Sequence, residues 1–300
     1  MSEGIAAKPN SKKQQEDKAK INRRMSRIRH KVIVLSGKGG VGKSTVAVNL
    51  AVSLAQSGRS VGLLDVDIHG PSIPIMLGLD GVSLSSNGKT FEPISIGNLK
   101  AMSIGFLIQN EDEALIWRGP MKMGVIKQLL GDVEWGELDY LIIDNPPGTG
   151  DEPLSICQLI ENPDGAIIVT TPQRVAAIDV RKALTFCREL KLPILGIVEN
   201  MSGFSCPKCG EVVEIFPSGG GRKIAVDFNV PFLGSLPIDP AIGIACDAGT
   251  PFVQHYEQTE TAGKFKDIIA PILALSEREA TAGQQTKEGR INENSHTYSQ

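Results

Sequence analysis

Two short stretches hold the residues best suited to chemistry. "SGKGGVGKST", residues 36–45, sets Gly37, Gly39, Gly40 and Gly42 around Lys38 and Val41 and closes on Lys43, Ser44 and Thr45. "GFSCPKCGE", residues 203–211, holds Cys206 and Cys209 two residues apart. Glycines let backbone N–H groups close around phosphates, a lysine reaches the terminal phosphates, and a hydroxyl at a helix N-terminus ligates Mg²⁺. Two thiolates at this spacing are half of a four-thiolate metal centre.

The glycine loop fits two patterns. Gly37, Gly39 and Gly42 match the dinucleotide G-x-G-x-x-G, with Asp65 in roughly the place of a ribose-binding acid. Gly37 to Ser44 also match G-x-x-x-x-G-K-[ST]. Lys43 and Ser44 decide between them, because a dinucleotide site has no use for the Lys-Ser-Thr run. The loop therefore predicts a nucleoside triphosphate with Mg²⁺. "LIIDNPPGTGD" delivers Asp144 at the end of a buried strand, where Mg²⁺ and its waters would sit. "LLDVDIHGPS" delivers Asp65 and Asp67, one of which could orient the attacking water, while His69 reads as a surface hydrogen-bonding residue.

Pro207 and Gly210 give the cysteine pair a tight turn that can aim N–H groups at both sulfurs. A thioredoxin-like redox pair would open a helix, and the following "EVVEIF" does not read as one, so a metal knuckle is preferred over redox chemistry. Cys157, Cys187 and Cys246 stand at helical spacing from apolar residues and read as structural, and His30, His69, His255 and His296 form no cluster in sequence. The missing ligands then come from a second copy: a two-fold axis brings two C-x-x-C turns together as a Cys₄ site. Such a site suits a [4Fe-4S] cluster or a structural Zn²⁺, and ligand softness alone does not separate them.

These residues need a scaffold. "KVIVLSG", "SVGLLDVD", "DYLIID", "DGAIIVTT", "LPILGIVEN" and "VPFLGSLP" are short, mostly apolar runs separated largely by helix-length segments. They predict one α/β domain, a doubly wound, mostly parallel sheet with helices on both faces. Residues 81–105, richer in Gly, Ser and Asn, predict a hairpin or irregular insertion at the sheet edge. The expected organisation is a basic flexible arm over 1–30, an ATPase domain over 31–276 with the metal loop at 202–211, and a disordered polar tail over 277–300.

Composition narrows the partners. The 300 residues are 41% hydrophobic and 22% charged with a net charge of -3, which gives no basic footprint for nucleic acid, so nucleic acid is disfavoured. The basic charge is local: residues 1–31 carry ten Lys or Arg against three Asp or Glu, with no apolar core for a signal peptide or a membrane span. Five cysteines without a secretion signal predict the reducing cytoplasm.

Lys38 adds a resemblance. "GKGGVGKST", with a lysine in second position, resembles the deviant phosphate loop of the group containing MinD, ParA and the nitrogenase iron protein, P-loop NTPases of the SIMIBI type. Together with "DVDIHGPSIP", "WRGPMK", "DYLIIDNPPGTGD", "VTTPQ", "GIVENMSGFSCPKCG" and "FPSGGGRKIA", residues 31–255 resemble the Mrp/ApbC family of iron-sulfur cluster carriers. The resemblance implies ATP and Mg²⁺ at Lys38, Lys43, Ser44, Asp67 and Asp144, with Asn200 on the adenine, and a homodimer in which Lys38 reaches the partner's nucleotide. It implies a [4Fe-4S] cluster at Cys206 and Cys209, scaffold proteins as donors and apo iron-sulfur proteins as recipients. Asn145 stands where the family more often carries an apolar residue or Thr, with little effect expected.

A positioning ATPase of the MinD or ParA kind, with a structural zinc or no metal, is the alternative. Its membrane form needs a basic amphipathic helix at the C-terminus, and after Glu277 the only large aliphatic residue is Ile291. Its DNA form leaves Cys206 and Cys209 without a role.

Overall fold

The computed structural model describes residues 9–107, 119–206, 208, 211–216 and 218–276. Cys209, Gly210, residues 1–8 of the expected arm and the expected tail over 277–300 lie outside the described residues. In chain order the elements are α1 (Pro9–Met25), β1 (Ile28–Ser36), α2 (Lys43–Gln56), β2 (Val61–Asp65), α3 (Ile73–Met76), β3 (Ile94–Ile96), β4 (Leu99–Ser103), α4 (Gly119–Gly131) and β5 (Leu138–Asp144). There follow α5 (Asp151–Leu159), β6 (Gly165–Thr170), α6 (Arg174–Glu189), β7 (Ile194–Glu199), β8 (Phe204–Ser205), β9 (Val212–Val213), α7 (Gly220–Phe228), β10 (Phe232–Ser235), α8 (Pro240–Asp247) and α9 (Phe252–His255). A last helix, α10, runs over 260–276.

Eight strands form one sheet in the order β10-β7-β6-β1-β5-β2-β4-β3. Every pair is parallel except β3 with β4, which make the predicted hairpin at the sheet edge. Side chains of a strand alternate between faces, so a sheet covered on both sides needs two apolar sets from each central strand. Ile33 and Leu35 of β1 enter one core with Leu141 and Ile143 of β5, beneath α1, α4, α5, α6 and α7. Val32 and Val34 enter the other with Tyr140 and Ile142, beneath α2, α8, α9 and α10.

The flexible-arm reading of 1–30 needs correction over Pro9–Met25, which is helix α1. Ile21 and Met25 lie one turn apart and are 1% and 2% exposed, so this helix buries an apolar stripe despite its charge. The charges are used as well: Lys20 pairs with Asp132, Arg24 with Glu134, and Lys127 on α4 with Asp17 at 3.0 Å. Charge density in the sequence outweighed a two-residue apolar signal that only α4 could complete.

Register brings the candidate carboxylates to one edge. Asp65 at the end of β2 lies opposite both Asp144 on β5 and Ser103 on β4, and Val34 of β1 lies on the other side of Asp144. Further along, Glu199 ends β7 opposite Thr170 of β6 and Ser235 of β10. Parallel strands whose C-termini are level make a ledge, and the loops leaving it are where open α/β sheets bind ligands.

Candidate nucleotide and metal sites

The loop from β1 to α2 turns on two left-handed glycines, Gly40 at φ 77° and Gly42 at φ 80°. A side chain at either position would be strained. Gly37 is required for a different reason: a Cβ there would lie 2.4 Å from the Asp179 backbone on α6. Gly39 and Gly40 are exposed, Val41 is buried, and Lys38 is half-buried with its carbonyl accepting from Ser36 Oγ at 2.9 Å. Thr45 lies within the first turn of α2, its carbonyl accepting from Asn49 Nδ2 at 2.8 Å.

Lys43 and Ser44 both meet Asp144. Lys43 Nζ donates to Asp144 Oδ1 at 2.7 Å and Ser44 Oγ to Oδ2 at 2.5 Å, in a site where the lysine is 6% and the aspartate 0% exposed. Burial pushes the Asp144 carboxyl up, Lys43 and Ser44 pull it back down, and Asp67 pushes it up again. The ledge thus concentrates carboxylates around one lysine. Ser44 and Asp144 offer hard oxygen donors side by side, the donor chemistry of Mg²⁺, which keeps several waters and needs few protein ligands.

Asp65 and Asp67 divide their work. Asp65 Oδ1 accepts the Asp67 N–H at 3.0 Å and Oδ2 accepts Ser103 Oγ at 2.9 Å, so both oxygens hold the loop after β2 in place. Burial, and then the Asp144 charge, push its carboxyl up to about 7. Asp67 is 9% exposed, with Oδ1 taking the His69 N–H at 3.3 Å. His69 itself is a surface residue 2.7 Å from Lys122 Nζ, which also pairs with Glu152 at 2.7 Å. The Lys122–Glu152 pair was not foreseen, because nothing local connects "WRGPMK" to the start of α5. Asn145 is buried, its N–H bonded to Val34 O at 3.2 Å.

Asn200 follows β7 and donates from Nδ2 to Val41 O at 2.9 Å. It sits so close that a Cβ on Gly42 would lie 2.1 Å from that nitrogen. Its neighbour Glu199 was missed by sequence reasoning: this buried acid accepts from Ser202 Oγ at 2.7 Å, from Gly219 N at 3.1 Å and from Gly221 N. An acid ending an apolar strand twenty residues before "SGGG" was the available signal.

The cysteine loop is a small hairpin. Strands β8 and β9 pair Phe204 with Val213 and Ser205 with Val212, and the Cys206 N–H donates to Glu211 O at 2.9 Å across the turn. Cys206 is half-buried at its tip end. Among the described residues, no group of three or more His, Cys, Asp or Glu could hold a metal ion. Cys157 and Cys187 are packed with the apolar core, and burial pushes both thiols up to about 12.

A phosphate loop leaving a central strand of a mostly parallel sheet, with a strand-end aspartate gripping its lysine and serine, defines a P-loop NTPase, a class that hydrolyses nucleotides. Within that class the chain belongs to the ParA family described as NUBPL iron-transfer P-loop NTPases, matching it over residues 27–273. An iron-sulfur cluster carrier protein of Methanocaldococcus jannaschii is 50% identical over 256 residues, covering 85% of this chain and 88% of the relative. The solved nucleotide-binding protein of Archaeoglobus fulgidus, in complex with ADP, is 40% identical with a TM-score of 0.69, covering 81% of this chain and 98% of that one. The septum site-determining protein MinD of Pyrococcus horikoshii, complexed with Mg-ADP, shares the fold at 24% identity and a TM-score of 0.61, covering 83% and 97%. Among the described residues no helix is long and apolar enough to cross a membrane.

Proposed function

We propose that this chain is a slow, Mg²⁺-dependent ATPase that carries a [4Fe-4S] cluster between two copies of itself, at Cys206 and Cys209, and hands it to apo iron-sulfur proteins. The observation that carries the reading is the cysteine hairpin: Cys206 stands half-buried on a loop rooted at the ledge that also holds the phosphate loop. A positioning ATPase without a metal leaves that hairpin without a role.

In this reading the backbone of Gly37 to Thr45 cradles the phosphates and Lys43 Nζ exchanges Asp144 for the terminal phosphates. Mg²⁺, when bound through Ser44 and Asp144 with Asp67 near, would neutralise charge on the β and γ phosphates. Asp67 orients a water, whose oxygen forms a bond to the γ-phosphorus as the bond to the β-γ bridging oxygen breaks, leaving ADP and phosphate. Lys38 of one copy stabilises the charge developing on the partner's nucleotide. Asn200 Nδ2 already serves Val41, which leaves Oδ1 to accept from the adenine amino group.

The test is anaerobic purification and reconstitution with iron, sulfide and zinc analysis beside an absorption spectrum. One cluster per dimer is expected, lost in the Cys206→Ala, Cys209→Ala double variant while nucleotide titration stays near wild type. Full iron content in that variant sinks the reading. Stoichiometric zinc without iron in the wild type makes the site structural.

A further inference from the structure

We infer that the dipeptide Glu199–Asn200 is the link through which nucleotide at the phosphate loop and the state of the cysteine hairpin influence each other. The inference rests on the proposed role of that hairpin. Adjacent residues at a strand end point to opposite sides. Here one side chain holds each functional loop.

On one side, Asn200 grips the phosphate loop. Its amide takes the Val41 carbonyl, and its Nδ2 fills the space beside Gly42 so tightly that no side chain would fit there. Any shift of the Val41–Gly42 backbone as phosphates enter moves Asn200. Little slack exists to absorb it, because the Asn200 N–H is bonded to Thr170 O at 2.8 Å, Met201 is held at φ 58°, and the Ser202 N–H is bonded to Leu236 O at 2.8 Å.

On the other side, Glu199 closes the base of the cysteine loop. Ser202 precedes the hairpin and Gly219 follows it, and both donate to the same carboxylate oxygen, Oε1. Oε2 takes the Gly221 N–H at the start of α7, an approach possible because a Cβ on Gly221 would lie 3.1 Å from that oxygen. Charge-assisted bonds of this kind are short and directional, so the two ends of the loop move with Glu199. The Glu199 side chain itself is fully buried, so its carboxylate depends on these protein donors. Glu199 is thus a positioning residue, acting through Ser202 and α7 and touching neither ligand.

The test measures the rate at which iodoacetamide labels Cys206 in the full-length chain before reconstitution, with and without saturating Mg-ATP, with mass spectrometry to locate the label. The wild type is expected to change its rate by about fivefold or more on adding nucleotide, the scale of ordinary coupling between sites. Glu199→Gln keeps the shape but replaces one accepting oxygen with an amide, and should bring the ratio to within about twofold of unity. Ser202→Ala removes a single hydroxyl at the surface of this network and should act in the same direction, which protects the test should Glu199→Gln fold poorly. A wild type whose labelling ignores nucleotide overturns the link, and so do two folded variants that respond as the wild type does. Failure of the cluster reading is separate: it shows as absence of iron after reconstitution, with the nucleotide-dependent labelling intact.

Discussion

Lys43 and Asp144 form a buried pair whose members need each other. Removing one partner strands a buried charge, which costs about 3–5 kcal/mol, whereas replacing both partners costs far less. Lys43→Met should therefore lose ATP turnover by at least about 100-fold and also lower unfolding free energy by roughly 3 kcal/mol in the absence of nucleotide. The double variant Lys43→Met, Asp144→Asn should recover most of the stability and none of the turnover, as read by urea titration beside a phosphate-release assay. Equal destabilisation of single and double variants would show that the pair is not coupled. The cysteines make a second case. With their thiols pushed up to about 12, Cys157 and Cys187 are almost wholly protonated at pH 8, so alkylation of the native protein should reach Cys206 well before either of them. Labelling of Cys187 at the rate of Cys206 without denaturant would contradict the buried placement.

Helix α1 is attached in two ways of unequal strength. Its ion pairs are partly exposed, and such pairs contribute little, about 0–1 kcal/mol each. Ile21 and Met25 are buried in the core beneath the helix, where removal of a large aliphatic side chain costs about 2–5 kcal/mol. Ile21→Ala should thus shift the denaturation midpoint clearly, while Lys20→Ala and 0.5 M salt should hardly move it. If salt alone releases α1 to limited proteolysis, the charges hold it after all. The hairpin β8–β9 is the opposite kind of element. With two residues per strand it has no core of its own, and its conformation depends on the ledge to which it is tied.

In the proposed function a single copy of the chain supplies a phosphate loop and half of a thiolate site. If Lys38 acts on the partner's nucleotide, two inactive variants can repair one another. Mixing Lys38→Ala with Asp67→Ala should restore activity, because the heterodimer keeps one site with its own Asp67 and the partner's intact Lys38. With random pairing, half the dimers carry one working site of two, or about a quarter of wild-type turnover. A mixture no more active than its components would count against Lys38 acting on the partner's nucleotide. Light scattering on the same samples should show the dimer in Mg-ATP.

Several parts of this molecule are written locally. The left-handed turns at Gly40 and Gly42 and the Lys-Ser start of α2 depend on residues within one short loop, and the six apolar runs became β1, β2, β5, β6, β7 and β10 because strand burial leaves an apolar run in sequence. In sequence the cysteine pair predicts a metal knuckle on equally local grounds, since Pro and Gly govern backbone angles at their own positions, and the metal itself belongs to the proposed function. What tertiary structure alone decided is which distant residues meet. Asp144 reaches Lys43 across 101 residues because β5 pairs with β1. Glu199 and Asn200 join two loops because β7 ends level with β6 and the phosphate loop lies within reach. Helix α1 left only Ile21 and Met25 as a sequence signal, and it docks because α4 supplies the remaining apolar surface and Asp132 and Glu134 supply the opposite charges. Such contacts follow from strand order and the shared burial of remote segments, a property of the whole chain that no local window contains.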